Sequence, residues 1–307
     1  MQSSWYSNGK LMITGEYTVL SGAKALAIPL KFGQSLTIGE GINSNQISFK
    51  TYLSNNEWFS ALYNASSLKL ISSTSSNRAA YINKLLLAAK QLNSNFIKQN
   101  ESLQFVAEMN FNPDWGLGSS SSLISNIAYC ANVDPYKLNE IISNGSGYDI
   151  ACARSNSPLI YANFNNTVEI HKISLYPEIT SHIWFIYLGK KQNTDKEIIN
   201  FFKNEKPTQS DINSISDISF AFTQAKNISD ARQLIDTHEN ITSKIIHQTP
   251  IKKKHFEDFE GSIKSLGAWG GDFCMAITDY DEQYIKNYFE QKGLATVFKY
   301  NDIVLKK

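Results

Sequence analysis

The sequence has few cysteines, no surplus of either charge and no apolar run of membrane length, and each shortage removes a class of protein. Cys130, Cys152 and Cys274 are widely spaced and set in apolar surroundings. They read as buried thiols of a reducing compartment, not as a disulfide framework or a metal site. A net charge of +1 over 307 residues argues against a general attraction to nucleic acid or to a membrane surface. The opening Met1-Gln-Ser-Ser-Trp-Tyr-Ser lacks the basic and apolar regions of a secretory signal, so a cytoplasmic location is expected. Asn144-Gly-Ser146 then carries no glycosylation meaning. Two well-known phosphate loops are missing as well. There is no G-x-x-x-x-G-K-[ST], and Ser121 stands where the third glycine of G-x-G-x-x-G would be.

What is present suits a folded, soluble chain. Hydrophobic residues at 42% and aromatics at 12% of 307 residues can fill one large or two ordinary cores. The most informative stretch is Phe111-Asn-Pro-Asp-Trp-Gly-Leu-Gly-Ser-Ser-Ser-Ser122. Before it, Leu103, Phe105, Ala107 and Met109 alternate with polar residues, the period of a half-buried strand. After it, Leu123, Ile124, Ile127, Ala128 and Ala131 fall at helical spacing. Ser119 to Ser122 therefore stand at a helix start, where the first N–H groups have no partner within the helix. Gly116 and Gly118 let a ligand approach the backbone, and the helix dipole favours an anion. A phosphate cradle is one reading; a strand-to-helix turn with a serine N-cap is the other.

The rest of the chain reads as scaffold with a few marked residues. A strand over Lys10–Thr14 turns at Gly15, with Lys10 and Glu16 flanking its apolar run, and hairpins are expected from Leu30 to Ser60. A helix spans 77–92. Asp134 caps a helix that opens with Pro135, and Asn144-Gly-Ser-Gly-Tyr-Asp149 turns into another, with Asp149 at its positive end. A polar stretch near Ser155–Pro158 divides residues 1–157 from 158–307. Strands at 159–164 and 183–188, a capping box at Thr194–Glu197 and helices from Asp211 to Ile246 follow. Lys190 and Lys191 precede the box. Lys264-Ser-Leu-Gly-Ala-Trp-Gly-Gly-Asp272 is a glycine-rich turn into an apolar strand, followed by a helix at 281–292 and a strand at 295–298. The outcome is an α+β chain.

Three separated segments together resemble one superfamily. Gly9-Lys-Leu-Met-Ile-Thr-Gly-Glu-Tyr17, Trp115-Gly-Leu-Gly-Ser-Ser-Ser-Ser122 and Gly267-Ala-Trp-Gly-Gly-Asp272 are similar, in order and separation, to the three motifs of the GHMP kinases. The first segment and Gly145-Ser-Gly-Tyr-Asp-Ile-Ala151 look closest to the mevalonate and phosphomevalonate kinase branch. The resemblance implies an N-terminal ATP-binding domain like ribosomal protein S5 domain 2 and a ferredoxin-like C-terminal domain. It also implies ATP and Mg²⁺ as cofactors and a small alcohol or phosphate ester as acceptor, in a monomer or homodimer. By position, Gly116, Leu117, Gly118, Ser119, Ser120 and Ser121 would hold the triphosphate, with Ser120 near Mg²⁺. Asp149 would take or orient the acceptor proton, and Lys10 would offset charge on the phosphoryl group. Glu16, Ser146, Gly147, Gly270 and Gly271 match substrate-binding positions.

Two departures bear on this. Leu138 stands where many mevalonate kinases have a glutamate as second Mg²⁺ ligand, with Glu140 two residues on as the substitute. Trp269 replaces a glycine of the third motif and could close over the acceptor or narrow its pocket. These leave two alternatives to the kinase: a catalytically silent nucleotide-binding protein and a diphosphomevalonate decarboxylase-like enzyme.

Overall fold

The computed structural model describes residues 3–98, 100–164, 167–189, 201, 206–267, 269 and 271–306. Lys190, Lys191, the capping box at Thr194–Glu197 and Gly270 lie outside the described residues. The chain forms two compact units: Met1–Gly9, Phe32–Pro113 and Leu117–Arg154 make the first, and Lys10–Lys31, Asp114–Gly116 and Ser155–Lys307 the second. Two long strands, β1 (Ser3–Thr14) and β2 (Ala25–Glu40), pair with each other and contribute residues to both units.

In the first unit the second half of β2 pairs antiparallel with β6 (Leu103–Met109), from Gln34 opposite Met109 to Glu40 opposite Leu103. On its other side β6 runs parallel to β3 (Gln46–Leu53), and β3, β4 (Asn56–Asn64) and β5 (Leu70–Ser73) continue antiparallel. The parallel pair needs a long crossover, which β4, β5 and helix α1 (Ser76–Leu92) provide. Alternation decides which face is covered: Ile47 and Phe49 of β3 and Phe59, Ala61 and Tyr63 of β4 point into the core. Ile82, Leu85, Leu86 and Ala89 of α1 meet them, joined by Ile124 and Ile127 of α2 (Ser119–Ala131). Helices α3 (Pro135–Ile142) and α4 (Tyr148–Ala153) complete this unit. As read from the sequence, Asp134 caps α3, accepting from the N–H groups of Tyr136 at 2.8 Å and Lys137 at 3.2 Å.

In the second unit the first half of β2 pairs with β7 (Leu159–Phe164), and β7 with β8 (Thr167–Lys172). A separate antiparallel sheet runs β10 (Ser262–Leu266), β11 (Phe273–Ile277), β9 (Ile183–Tyr187), β12 (Val297–Lys299). Every residue of β10 and β11 is buried, which for Ile263, Leu266 and the apolar β11 follows from hydropathy and for Lys264 does not. Helices Gln209–Gln224, Ile228–Ile245 and Glu282–Gln291 belong to this unit. Among the described residues no helix is long and apolar enough to cross a membrane.

Candidate functional site

The glycine-serine turn is set up by its two glycines. Gly116 (φ 69°) and Gly118 (φ 93°) are both left-handed, and Gly118 is the N-cap of α2 with no side chain capping the helix. The serine N-cap alternative is thereby corrected: the residue best shaped for the turn has no hydroxyl, so the first N–H groups of α2 are left to a ligand. The serine hydroxyls are directed differently from one another. Ser121 Oγ donates to Gly118 O at 3.0 Å, and Ser122 Oγ meets Ser119 O at 3.1 Å and Gln34 Oε1 at 3.2 Å. The Ser121 hydroxyl is thus engaged within the turn itself. Ser120 keeps an exposed hydroxyl, hydrogen-bonded to the Tyr81 hydroxyl of α1. Leu117 is fully buried and pins the turn from below. A nucleotide phosphate fits this helix end, because the glycines bring no Cβ and the dipole favours negative charge.

Asp149 stands half-buried in the first turn of α4, after Ser146 and the left-handed Gly147. Its helix is fastened to α2. Arg154, the C-cap of α4, donates from Nε to Ser125 Oγ at 3.2 Å and from a terminal nitrogen to Ser125 O at 3.3 Å, and its guanidinium lies 3.4 Å over the Tyr129 ring. The Ser7 hydroxyl sits between Ser125 Oγ (2.9 Å) and Asn126 Oδ1 (2.8 Å), tying β1 to the same helix. These bonds fasten α4, which carries Asp149, to α2 within the first unit. Leu138 is fully buried in the core, while Glu140 is exposed on α3. Among the described residues no group of three or more His, Cys, Asp or Glu could hold a metal ion.

In the second unit Lys10 Nζ donates to Gly116 O at 3.2 Å, which ties the lysine to the first glycine of the turn. The Asp272 carboxylate lies directly against Gly116, where a Cβ would land on it. Trp115 packs on Phe298 and Tyr187, with ring centroids 5.3 and 6.3 Å apart, and Tyr187 donates to Asp114 O at 3.2 Å. Gly271 is buried beside Asp272. Trp269 does not stand as an open ring. It is buried with Tyr17, Phe201, Ile245 and Ile246, and the backbone N–H of Trp269 donates to Tyr17 Oη at 2.9 Å.

Glu16, matched to substrate binding by the resemblance, is 4% exposed and ion-paired with Lys264, itself 1% exposed. Burial raises the Glu16 carboxyl, and Lys264 counters that rise. His238 Nε2 accepts the Gly15 N–H at 2.8 Å, so this nitrogen carries no proton. Burial first, then the Lys264 ammonium, holds that imidazole well below its ordinary range. Glu239 accepts from Ser265 N at 3.3 Å and Ile251 N at 3.2 Å, and burial pushes its carboxyl up to about 7. Lys264, Glu239, Arg154 and Tyr81 were not singled out by the sequence. The one available signal for Lys264 is a cation between Ile263 and Leu266, just before the glycine-rich turn into the apolar strand Phe273–Ile277.

The α+β fold of the chain is that of the GHMP kinases. A mevalonate kinase from Methanococcus jannaschii aligns over 100% of this chain and 99% of its own, with a TM-score of 0.71 at 15% identity. A Streptococcus pneumoniae phosphomevalonate kinase, solved with phosphomevalonate and AMPPNP, aligns over 97% of this chain and 99% of its own (TM-score 0.72, 15% identity). A Lactococcus lactis galactokinase solved with galactose aligns over 99% of this chain and 93% of its own (TM-score 0.69, 11% identity). No family model matches the sequence, and no curated protein matches it.

Proposed function

We propose that the chain is an ATP-dependent small-molecule kinase whose acceptor is mevalonate or phosphomevalonate. The observation that carries this reading is the N-terminus of α2, headed by Gly118 with no side-chain cap, in a turn whose first glycine, Gly116, accepts through its carbonyl from the Lys10 ammonium. Phosphoryl transfer asks a protein mainly for positioning and charge stabilisation, and N–H donors, one cation and one carboxylate meet that need. In this reading residues 1–157 hold the nucleotide, with Gly116 to Ser121 cradling the triphosphate. When bound, Mg²⁺ neutralises charge on the phosphates, and Ser120 is its protein ligand. Lys10 offsets charge on the transferring group, and Asp149 takes or orients the acceptor proton. Ser146, Gly147 and Gly271 line the acceptor. The acceptor assignment is supported by the resemblance of the first motif and of Gly145-Ser-Gly-Tyr-Asp-Ile-Ala151 to that branch, and by the mevalonate and phosphomevalonate kinases that share the fold.

Purified protein with Mg²⁺-ATP and either acceptor is expected to release ADP. Asp149→Ala is expected to abolish release while ATP binding, followed by calorimetry, is kept. Absence of acceptor-dependent ADP release across sugars, amino acids and isoprenoid precursors would refute the kinase. The burial of Leu138, which leaves a metal-ligand position without a carboxylate, favours a second reading: a silent nucleotide-binding protein. That protein would bind ATP and turn over no acceptor.

A further inference from the structure

The second unit contains a closed group of ionisable side chains that the proposed chemistry leaves unused. Glu16, His238, Glu239 and Lys264 are all buried. They come from three places: the residue after β1 and Gly15, one turn of helix Ile228–Ile245, and the middle of β10. Such a group is a poor source of stability, since a buried ion pair repays its desolvation only in part and well-packed apolar residues often do as well or better. Its use is more readily geometric.

The contacts converge on two backbone segments. His238 takes the Gly15 N–H, and its chain neighbour Glu239 takes the Ser265 N–H. Lys264 closes the set, bonded to Glu16 and, at 2.7 Å, to Ser265 O. Glu16 Oε2 has no hydrogen-bond partner and lies 3.5 Å from His238 Nε2; the Lys264 ammonium is the largest hold on this carboxylate, with the backbone N–H of Gly267 beside it. One of the segments so fixed is the end of the strand that carries Lys10. The other is the start of the third glycine turn, which runs from Gly267 to Asp272. The far end of that turn returns to the lysine: Asp272 lies against Gly116, and Gly116 O accepts from Lys10 Nζ. The two ends of the turn are therefore both linked to Lys10, one through the strand that carries it and one through Gly116.

We propose that Lys264, acting through Glu16, is a positioning residue that sets where the Lys10 ammonium stands. The inference rests on the role given to Lys10 in the proposed function. It assigns Glu16 to holding the frame, with its carboxylate turned to Lys264 instead of to an acceptor.

The test is the variant pair Glu16→Gln with Lys264→Met in one chain, which removes both charges of the pair; it is read at pH 6, where Glu239, its carboxyl at about 7 and higher once the ammonium is gone, stays protonated and no unpaired ion is left. The double variant is expected to melt near the unaltered protein but to lose kcat by about 10- to 100-fold, the scale of a misplacement near one ångström, with KM for ATP little changed. In a Lys10→Met background the same pair is expected to have little further effect, because the group it positions is gone. Wild-type kcat in the double variant, or losses that simply add to those of Lys10→Met, would overturn the proposal. Should the double variant not fold, Glu16→Asp keeps both charges and shortens the reach; the same kinetic loss supports the proposal and unaltered kinetics overturns it. If the unaltered protein turns over no acceptor, the kinase reading fails, and amide hydrogen exchange decides the positioning claim separately. Faster exchange at Gly15, Gly116 and Asp272 with unchanged exchange in α1 supports it, and wild-type exchange at those three overturns it.

Discussion

Glu239 should make the protein less stable as the pH rises from 5 to 8, and Glu239→Gln should remove that dependence. Two carboxylates, Glu16 and Glu239, share the one buried ammonium of Lys264, and Lys264 bonds directly to Glu16. At Glu239 burial outweighs the charge of Lys264 and two backbone N–H donors, lifting its carboxyl from an ordinary 4.5 to about 7. Below 4.5 the group is protonated whether the chain is folded or not and does not affect the balance. Between 4.5 and 7 the unfolded chain releases a proton that the folded protein retains, so stability falls with rising pH; above 7 the loss is complete. An interval from 4.5 to about 7 corresponds to about 3 kcal/mol, of which about 2–3 kcal/mol falls between pH 5 and 8. Glutamine is neutral throughout, and its carbonyl can still accept from Ser265 and Ile251. Urea unfolding of both proteins at pH 5, 6, 7 and 8 gives the comparison, and subtracting one from the other cancels every group they share. Parallel stability curves, or a wild type that gains on the variant as pH rises, would refute the reasoning.

Two further substitutions test the local geometry. Gly116→Ala meets about 1–2 kcal/mol of left-handed strain and a collision with Asp272, whereas Gly189→Ala, with φ 71° and nothing within 4 Å, meets the strain alone. Thermal melts should show the larger loss for Gly116→Ala, and equal losses would contradict the close packing. Asp134→Ala deletes the α3 cap and is expected to cost about 1 kcal/mol in urea unfolding, an unchanged midpoint counting against the cap.

The parts of this protein that could be read in the sequence are those in which burial follows a local period. The strand ending at Met109 and the helix beginning at Ser119 were legible because alternation gives way to helical spacing across the glycines. The helix cap was not, since Gly118 and Ser119 both suit a helix start and only the backbone angle decides between them. Leu138 drew notice as a missing ligand. In the structure it is a core residue of α3, at the spacing its helix requires.

The buried ionic group lay beyond this kind of reading for a different reason. Glu16 and Lys264 are 248 residues apart, and a single long-range pair leaves no repeat in either neighbourhood. Lys264 stands in a strand with no exposed residue, so alternation would have called for an apolar side chain there. Hydropathy rules can register that conflict but not resolve it, because the resolving charge comes from the turn after β1. Trp269 is the apolar counterpart. Its ring lies where a glycine is common, and only the presence of Tyr17, Ile245 and Ile246 around it shows that the ring belongs to a packed cluster. In both cases a residue that breaks the local pattern is explained by a distant partner, and both partners in the first motif, Glu16 and Tyr17, follow Gly15. That coincidence is the physical reason to treat the first and third motifs of this chain as one mechanical element and to test them by paired substitution.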